Sequence, residues 1–327
     1  MCASARALVV RSAMRMSDDA FSSYSAKTTF LFPGQGAQSV GMGAEVAAAL
    51  PAAKKLYETA SEILGYDLLL KCTEGPKEEL DSTVISQPAI FVSSMAAVEK
   101  LQAEDSRVEA TAAAGLSLGE YSALCFAGAM SFEDGVKLTK LRGEAMQAAS
   151  DATAGAMVSV IGLDKTTVAE ICDKAAAETG EPIRIANFLC NGNYAVSGSV
   201  KACEVVEKIA KPDFKARMTV RLAVAGAFHT DFMAPAVETL EAALKETDLH
   251  APTIPVISNV DAKPHSDPDQ IKKLLALQVT SPVLWEDSVA QLLANGFELG
   301  YELGPGKVIS GIFKRIDKTA EVRNVVV

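Results

Sequence analysis

An α/β fold with a mostly parallel sheet and a small second unit inserted into it is predicted by three observations. Short β-rich segments alternate with longer helical ones along most of the 327 residues, the order that produces parallel strands joined by crossover helices. The G-x-S-x-G pattern at Gly115-Leu116-Ser117-Leu118-Gly119 follows a run of small residues and precedes a short apolar stretch. That is the order strand, turn, helix, and it makes the main domain α/β-hydrolase-like. From 156 to 223 the pattern becomes β-α-β-β-α-β, the order of a ferredoxin-like subdomain. The chain thus divides into a leader over 1–26, a large α/β domain over 27–155 and 224–327, and the small ferredoxin-like insertion over 156–223.

In chain order, residues 1–26 are rich in Ser and Ala, carry Arg6, Arg11 and Arg15, and hold no acid before Asp18. That composition fits an organelle transit peptide; an unstructured bacterial-type leader is the other reading. Thr28–Phe32 is expected as a strand ending in Pro33-Gly34-Gln35-Gly36-Ala37-Gln38. This turn is either an ordinary strand-to-helix connection or one that aims the Gln35 backbone N–H into a site. Helices are expected over 45–64, 77–80 and 89–103, the last preceded by Ser86-Gln87-Pro88. Val108 to Ala114 suits a crowded strand, and Glu120 to Ala127 a short buried helix closed by Gly128. The two glycines of the motif are expected to let the chain turn sharply and lift the Ser117 hydroxyl clear of the sheet. The Leu118 N–H then falls in the first turn of that helix, where an unpaired donor can receive an oxyanion.

Ser131 reads as the N-cap of a helix running to about Ser150. Its Lys137, Lys140, Arg142, Glu144 and Gln147 fit a solvated face, with Arg142 close to Met146. In the insertion, strands are expected over 157–161, 183–189, 194–197 and 214–222, with helices over 165–178 and 201–210. The chain returns through Ala225-Gly226-Ala227-Phe228-His229. Of the three histidines, His250 and His265 lie in Pro- and Asp-rich connections and are expected to be solvated. His229 follows an apolar segment and is either a packed core histidine or a positioned base. Beyond it, strands are expected over 254–258, 297–302 and 322–327 and helices over 269–277, 286–294 and 308–316.

Composition excludes several functions. A net charge of -10 with no basic stripe argues against nucleic-acid binding. No apolar run is long enough to cross a bilayer. The six cysteines are scattered, with no C-x-x-C pair or histidine at ligand spacing, and read as small core residues rather than metal ligands.

FPGQGAQ, SQPA, GLSLGEYSAL, LRGEAMQ, GAFH, QVTSPVLW and ELGPG occur in this order, and on these motifs the chain resembles the malonyl-CoA:acyl-carrier-protein transacylases from about Lys27 to its end. The resemblance implies Ser117 as nucleophile, His229 as its base, Gln35 and Leu118 as backbone oxyanion donors, and Arg142 as the residue that pairs with the malonyl carboxylate. It also implies that the Gln278 backbone carbonyl orients the histidine, and that Gln87, Met146 and Phe228 line the acyl pocket. The implied partners are malonyl-CoA and acyl carrier protein; the implied chemistry uses neither metal nor redox cofactor. Most bacterial members carry histidine at the position of Leu116. That leucine and the segment 187–198 look more like plant and algal plastid members, which usually have proline where this chain has Asn191. Import into a plastid is therefore expected, with the cytoplasm or mitochondrion as alternatives. The rival readings are a serine acyl hydrolase or thioesterase and a polyketide-type acyltransferase; a hydrolase would normally orient His229 with Asp or Glu.

Overall fold

The central sheet is parallel throughout. In the computed structural model, which describes residues 18–327, the strands are β1 (Thr28–Phe32), β2 (Ala112–Gly115), β3 (Gly155–Ile161), β4 (Ile183–Cys190), β5 (Asn193–Ser199), β6 (Met218–Arg221), β7 (Val256–Ile257), β8 (Leu299–Leu303) and β9 (Glu321–Val325). The first seventeen residues of the expected leader lie outside the described residues. The large sheet has the order β7-β2-β1-β8-β9, and every pairing in it is parallel. Helices cover both faces, so β1 is buried along Phe30, Leu31 and Phe32, as a central parallel strand requires.

β3 to β6 form a separate four-stranded antiparallel sheet of order β4-β5-β3-β6. The alternation of its side chains serves two cores. Val158, Val160, Ile185 and Val196 pack under its own helices Lys165–Thr179 and Val200–Ile209, whereas Met157, Ala186 and Ala195 turn to Met146, Phe228, Leu240 and Val279 of the rest of the chain. With a side-chain period of 2, one short strand can serve both layers.

Several boundaries differ from expectation for local reasons. The stretch 45–64 is two helices, Ala44–Ala49 and Pro51–Leu64, because Pro51 holds Leu50 in an extended conformation. The helix expected from residue 89 instead begins at Thr83 and runs through Pro88 to Glu104. Its first turn packs closely on Gly143 of the helix Phe132–Ala152, where an added Cβ would lie 2.6 Å from the Thr83 carbonyl oxygen. β2 is only four residues and β7 only two. Helices at Leu68–Glu74 and Ala234–Glu246 were absent from the sequence-based expectation. Among the described residues, no helix is long and apolar enough to cross a membrane.

Candidate active site

β1, β2, β7 and β8 run parallel, so the loops after them gather at one edge of the sheet, where open α/β sheets bind ligands. Phe32 pairs with Gly115 at the ends of β1 and β2, and the Leu116 N–H still reaches the Phe32 carbonyl at 3.0 Å. The chain then breaks into Ser117, whose φ of 51° is left-handed. Neither Gly115 nor Gly119 has a positive φ, so the glycines do not make the turn by their own conformation. They remove bulk: a Cβ on Gly115 would sit 1.9 Å from the Gly119 carbonyl carbon, and one on Gly119 would sit 2.1 Å from the Phe32 oxygen. The strain rests on the serine itself, which is half-buried while Leu116 and Leu118 beside it are buried.

The turn after β1 lies against this elbow, since a Cβ on Gly34 would be 2.3 Å from the Leu116 oxygen. Among the described residues neither the Gln35 nor the Leu118 backbone N–H has a hydrogen-bond acceptor. The helix that starts at Gly119 adds its positive end there. The Leu118 N–H is thus the free donor next to Ser117 in the chain, and the Gln35 N–H a free donor in the turn packed on the elbow.

His229 also has a left-handed φ, 59°, and is 3% exposed. Its Nε2 lies 2.9 Å from Ser117 Oγ and its Nδ1 2.8 Å from the Gln278 carbonyl oxygen. A carbonyl only accepts, so Nδ1 carries the proton and Nε2 presents a lone pair to the serine. Burial first, and then the Arg142 charge, push the imidazole down to about 4, so it is a neutral base at neutral pH. The Arg184 guanidinium on β4 donates to the His229 carbonyl at 2.8 Å and to that of Thr280, tying the histidine loop to the small sheet.

Arg142 is not on a solvated face. It is 1% exposed; Nη1 donates to Gln87 Oε1 at 2.8 Å, and Nη2 donates to Gln278 Oε1 at 2.9 Å and to Ser117 Oγ at 3.1 Å. Its Nε is buried without a partner, and its guanidinium carbon lies 5.5 Å from the centre of the Tyr121 ring. Among the described residues no carboxylate forms an ion pair with it. Gln87 reaches Met146 Sδ at 3.4 Å, and Phe228 shares a buried cluster with Met146. The structure thus brings together Ser117, His229, Arg142, Gln87, Met146 and Gln278, with Gln35, Leu118 and Phe228 on neighbouring segments. Leu116 is packed with Leu31, Val283 and Trp285, so that position contributes no polar group.

Two expectations about histidines part here. His250 is exposed as expected, but the His265 side chain is only 14% exposed and bonds to Asp261 at 2.9 Å. Sequence reasoning also missed Glu120, Asn259 and Arg184. Asn259 lies two residues past the end of the parallel strand β7, which was a usable signal. A lone acid in the apolar stretch EYSALCFA, as Glu120 is, was another. Among the described residues no cluster of His, Cys, Asp and Glu is placed to hold a metal.

A serine with left-handed backbone, a neutral histidine bonded to it and a buried cation within hydrogen-bond reach of its hydroxyl are groups that can carry out nucleophilic acyl chemistry. The chain belongs to the acyl transferase family: the model of the acyl transferase domain matches residues 29–325. It is 41% identical over 292 residues to the malonyl CoA-acyl carrier protein transacylase of Bacillus subtilis, covering 89% of this chain and 91% of that one. It is 43% identical over 306 residues to the mitochondrial malonyl-CoA-acyl carrier protein transacylase of Homo sapiens, covering 90% and 78%. Among solved structures, the acyl carrier protein S-malonyltransferase of Vibrio cholerae superposes with a TM-score of 0.86 at 40% identity, over 92% of this chain and 97% of that one. A malonyl-transacylase solved in complex with a type II PKS acyl-carrier protein superposes with a TM-score of 0.87 at 34% identity, over 91% and 95%.

Proposed function

We propose that this protein transfers a malonyl group from malonyl-CoA to the phosphopantetheine thiol of an acyl carrier protein, through an ester on Ser117, and so supplies malonyl carrier protein for fatty acid synthesis. The relatives named above carry that activity in their names. One observation supports it most: the buried Arg142, without a carboxylate partner, lies 3.1 Å from the Ser117 hydroxyl, where the free carboxylate of a malonyl ester can reach it.

His229 Nε2 takes the Ser117 proton as Oγ bonds to the thioester carbonyl carbon. The oxyanion rests on the Gln35 and Leu118 N–H groups. As the tetrahedral centre collapses, the carbon–sulfur bond breaks and coenzyme A leaves as the thiol with the proton from His229. The carrier thiol then repeats these steps in reverse, giving its proton to His229 and attacking the ester, and Ser117 is regenerated. Every proton and acyl group is accounted for by these side chains and the two thiols, so the cycle calls for no metal or redox group. Gln87, Met146 and Phe228 line the acyl end of the site in this reading. A backbone carbonyl, not an Asp or Glu, accepts from His229 Nδ1, and this favours transfer over the hydrolase reading.

The β4-β5-β3-β6 order supports the ferredoxin-like description of 156–223, and the elbow on a parallel sheet supports the hydrolase-like description of 27–155 with 224–327. Residues 1–26 are read as an organelle leader, for a plastid before a mitochondrion; fusing them to a fluorescent reporter tests that. The activity is tested by incubating the protein with malonyl-CoA and holo carrier protein and weighing the carrier: a malonylated carrier is expected, whereas free malonate with an unmodified carrier would mean a hydrolase.

A further inference from the structure

Glu120 has no part in that chemistry, yet it sits under all of it. It is 3% exposed, in the first turn of the helix Gly119–Phe126. Its Oε2 accepts from the Gln278 side chain at 2.7 Å and from the Asn259 backbone N–H at 3.0 Å. Gln278 presents Oε1 to Arg142 and also donates to the Ser117 carbonyl at 3.0 Å. The Asn259 side chain accepts from the Ser117 N–H at 2.6 Å and donates to the Gly115 carbonyl at 2.7 Å, bracing both sides of the left-handed serine.

We propose that Glu120 is the positioning residue of this site: by accepting from the Gln278 side chain and the Asn259 backbone N–H together, it holds the Gln278 amide that meets Arg142 and the backbone that carries the Asn259 amide to Ser117. The logic is one of donors and acceptors. Arg142 only donates, and an acid oxygen facing two N–H groups only accepts, so the Gln278 amide between them has a single way round. The role requires an acceptor rather than a charge. Burial raises the Glu120 carboxyl to about 7, and a protonated acid keeps an accepting oxygen. The charged and titratable neighbours that act on it or feel it are Asp261, Arg142 and Tyr121.

This inference rests on the reading of Arg142 as the malonyl-binding residue, and the test separates the two. In the intact protein, kcat and KM for malonyl-CoA and acetyl-CoA are measured for wild type, Glu120→Ala, Glu120→Gln, Gln278→Ala and Glu120→Ala with Gln278→Ala. Glu120→Ala leaves buried donors without an acceptor and should lower malonyl kcat/KM by about 5- to 150-fold, reducing the preference for malonyl over acetyl. Glu120→Gln, which keeps an acceptor, should restore most of that preference. In the Gln278→Ala background, Glu120→Ala should not lower the preference further. A preference unchanged in Glu120→Ala, a Glu120→Gln no better than Glu120→Ala, or additive losses would overturn the inference. Should Glu120→Ala fail to fold, Glu120→Gln alone decides: the inference requires it to keep the wild-type preference within about 2-fold, inside the range of an unremarkable surface change. Absence of any malonyl preference in wild type would instead remove the role given to Arg142.

Discussion

Replacing Arg142 by alanine should convert a malonyl-selective enzyme into an indifferent one. In the free protein the guanidinium is buried and its oxygen partners, Gln87 Oε1, Gln278 Oε1 and Ser117 Oγ, are all uncharged. In the proposed reading a malonyl carboxylate supplies a counter-charge and takes the unpartnered Nε or an Nη donor. An acetyl group supplies nothing, and a buried charge left without its partner typically costs about 2–5 kcal/mol. At about 1.36 kcal/mol per decade, that is a preference of roughly 30- to 5,000-fold in kcat/KM. In Arg142→Ala, malonyl kcat/KM should fall by a factor in that range while acetyl kcat/KM holds or rises. Arg142→Lys should recover only part, because one ammonium cannot span Gln87 and Gln278 as a planar fork does. The assay is acyl-enzyme formation from each thioester, followed by rapid quench and mass spectrometry. Equal losses on both thioesters would refute the reasoning and assign Arg142 to support of the elbow.

His229→Ala should slow both half-reactions by about 10²–10⁴-fold, the range for a positioned base. Because burial holds the imidazole down at about 4, the acid limb of the kcat/KM profile should lie well below the ordinary histidine value; a midpoint near that ordinary value would contradict this. The same shift has a sign for stability: between pH 4 and 6.5 the unfolded chain binds the extra proton, so His229 makes the fold less stable as pH falls through that window. Glu120, raised to about 7 from 4.5, acts oppositely, favouring the fold at low pH and losing that contribution as pH rises. Denaturation of Glu120→Gln across this range should therefore show a steeper loss towards acid than wild type. Gly119→Ala should abolish activity and lower the melting temperature, since its Cβ would meet the Phe32 oxygen at 2.1 Å; a variant with wild-type melting and activity would contradict the packing account. Lys307, Lys314 and Arg315 are exposed beside a loop whose Gly306 approaches Ala37 of the Gln35 turn. Reversing their charge should raise the KM for carrier protein and leave that for malonyl-CoA nearly unchanged.

What the sequence makes legible follows the reach of local rules. The β1 span, the Ser131 cap and the helix Val308–Ile316 depend on neighbouring residues, and each was readable. The start of the helix through Pro88 was not, because a proline reads as a helix boundary and here the helix begins five residues before it. Arg142 looked solvated on its own helix; its burial comes from Gln87 and Gln278 on two others. Only the ordered motifs, compared with a family, placed it in the site. Glu120 and Asn259 escaped even so, because a hydrogen bond spanning 139 residues leaves no local pattern. The glycine pattern was found, but for an incomplete reason: the glycines make room and the serine takes the strain.

The most direct test of the account is the mass of the purified protein after mixing with malonyl-CoA alone, with proteolytic mapping of any adduct. One malonyl group on Ser117 is expected, discharged when holo carrier protein is added and absent from Ser117→Ala. A malonyl group that maps elsewhere, or that persists on Ser117→Ala, would contradict the assignment of Ser117 as the residue that carries the acyl group.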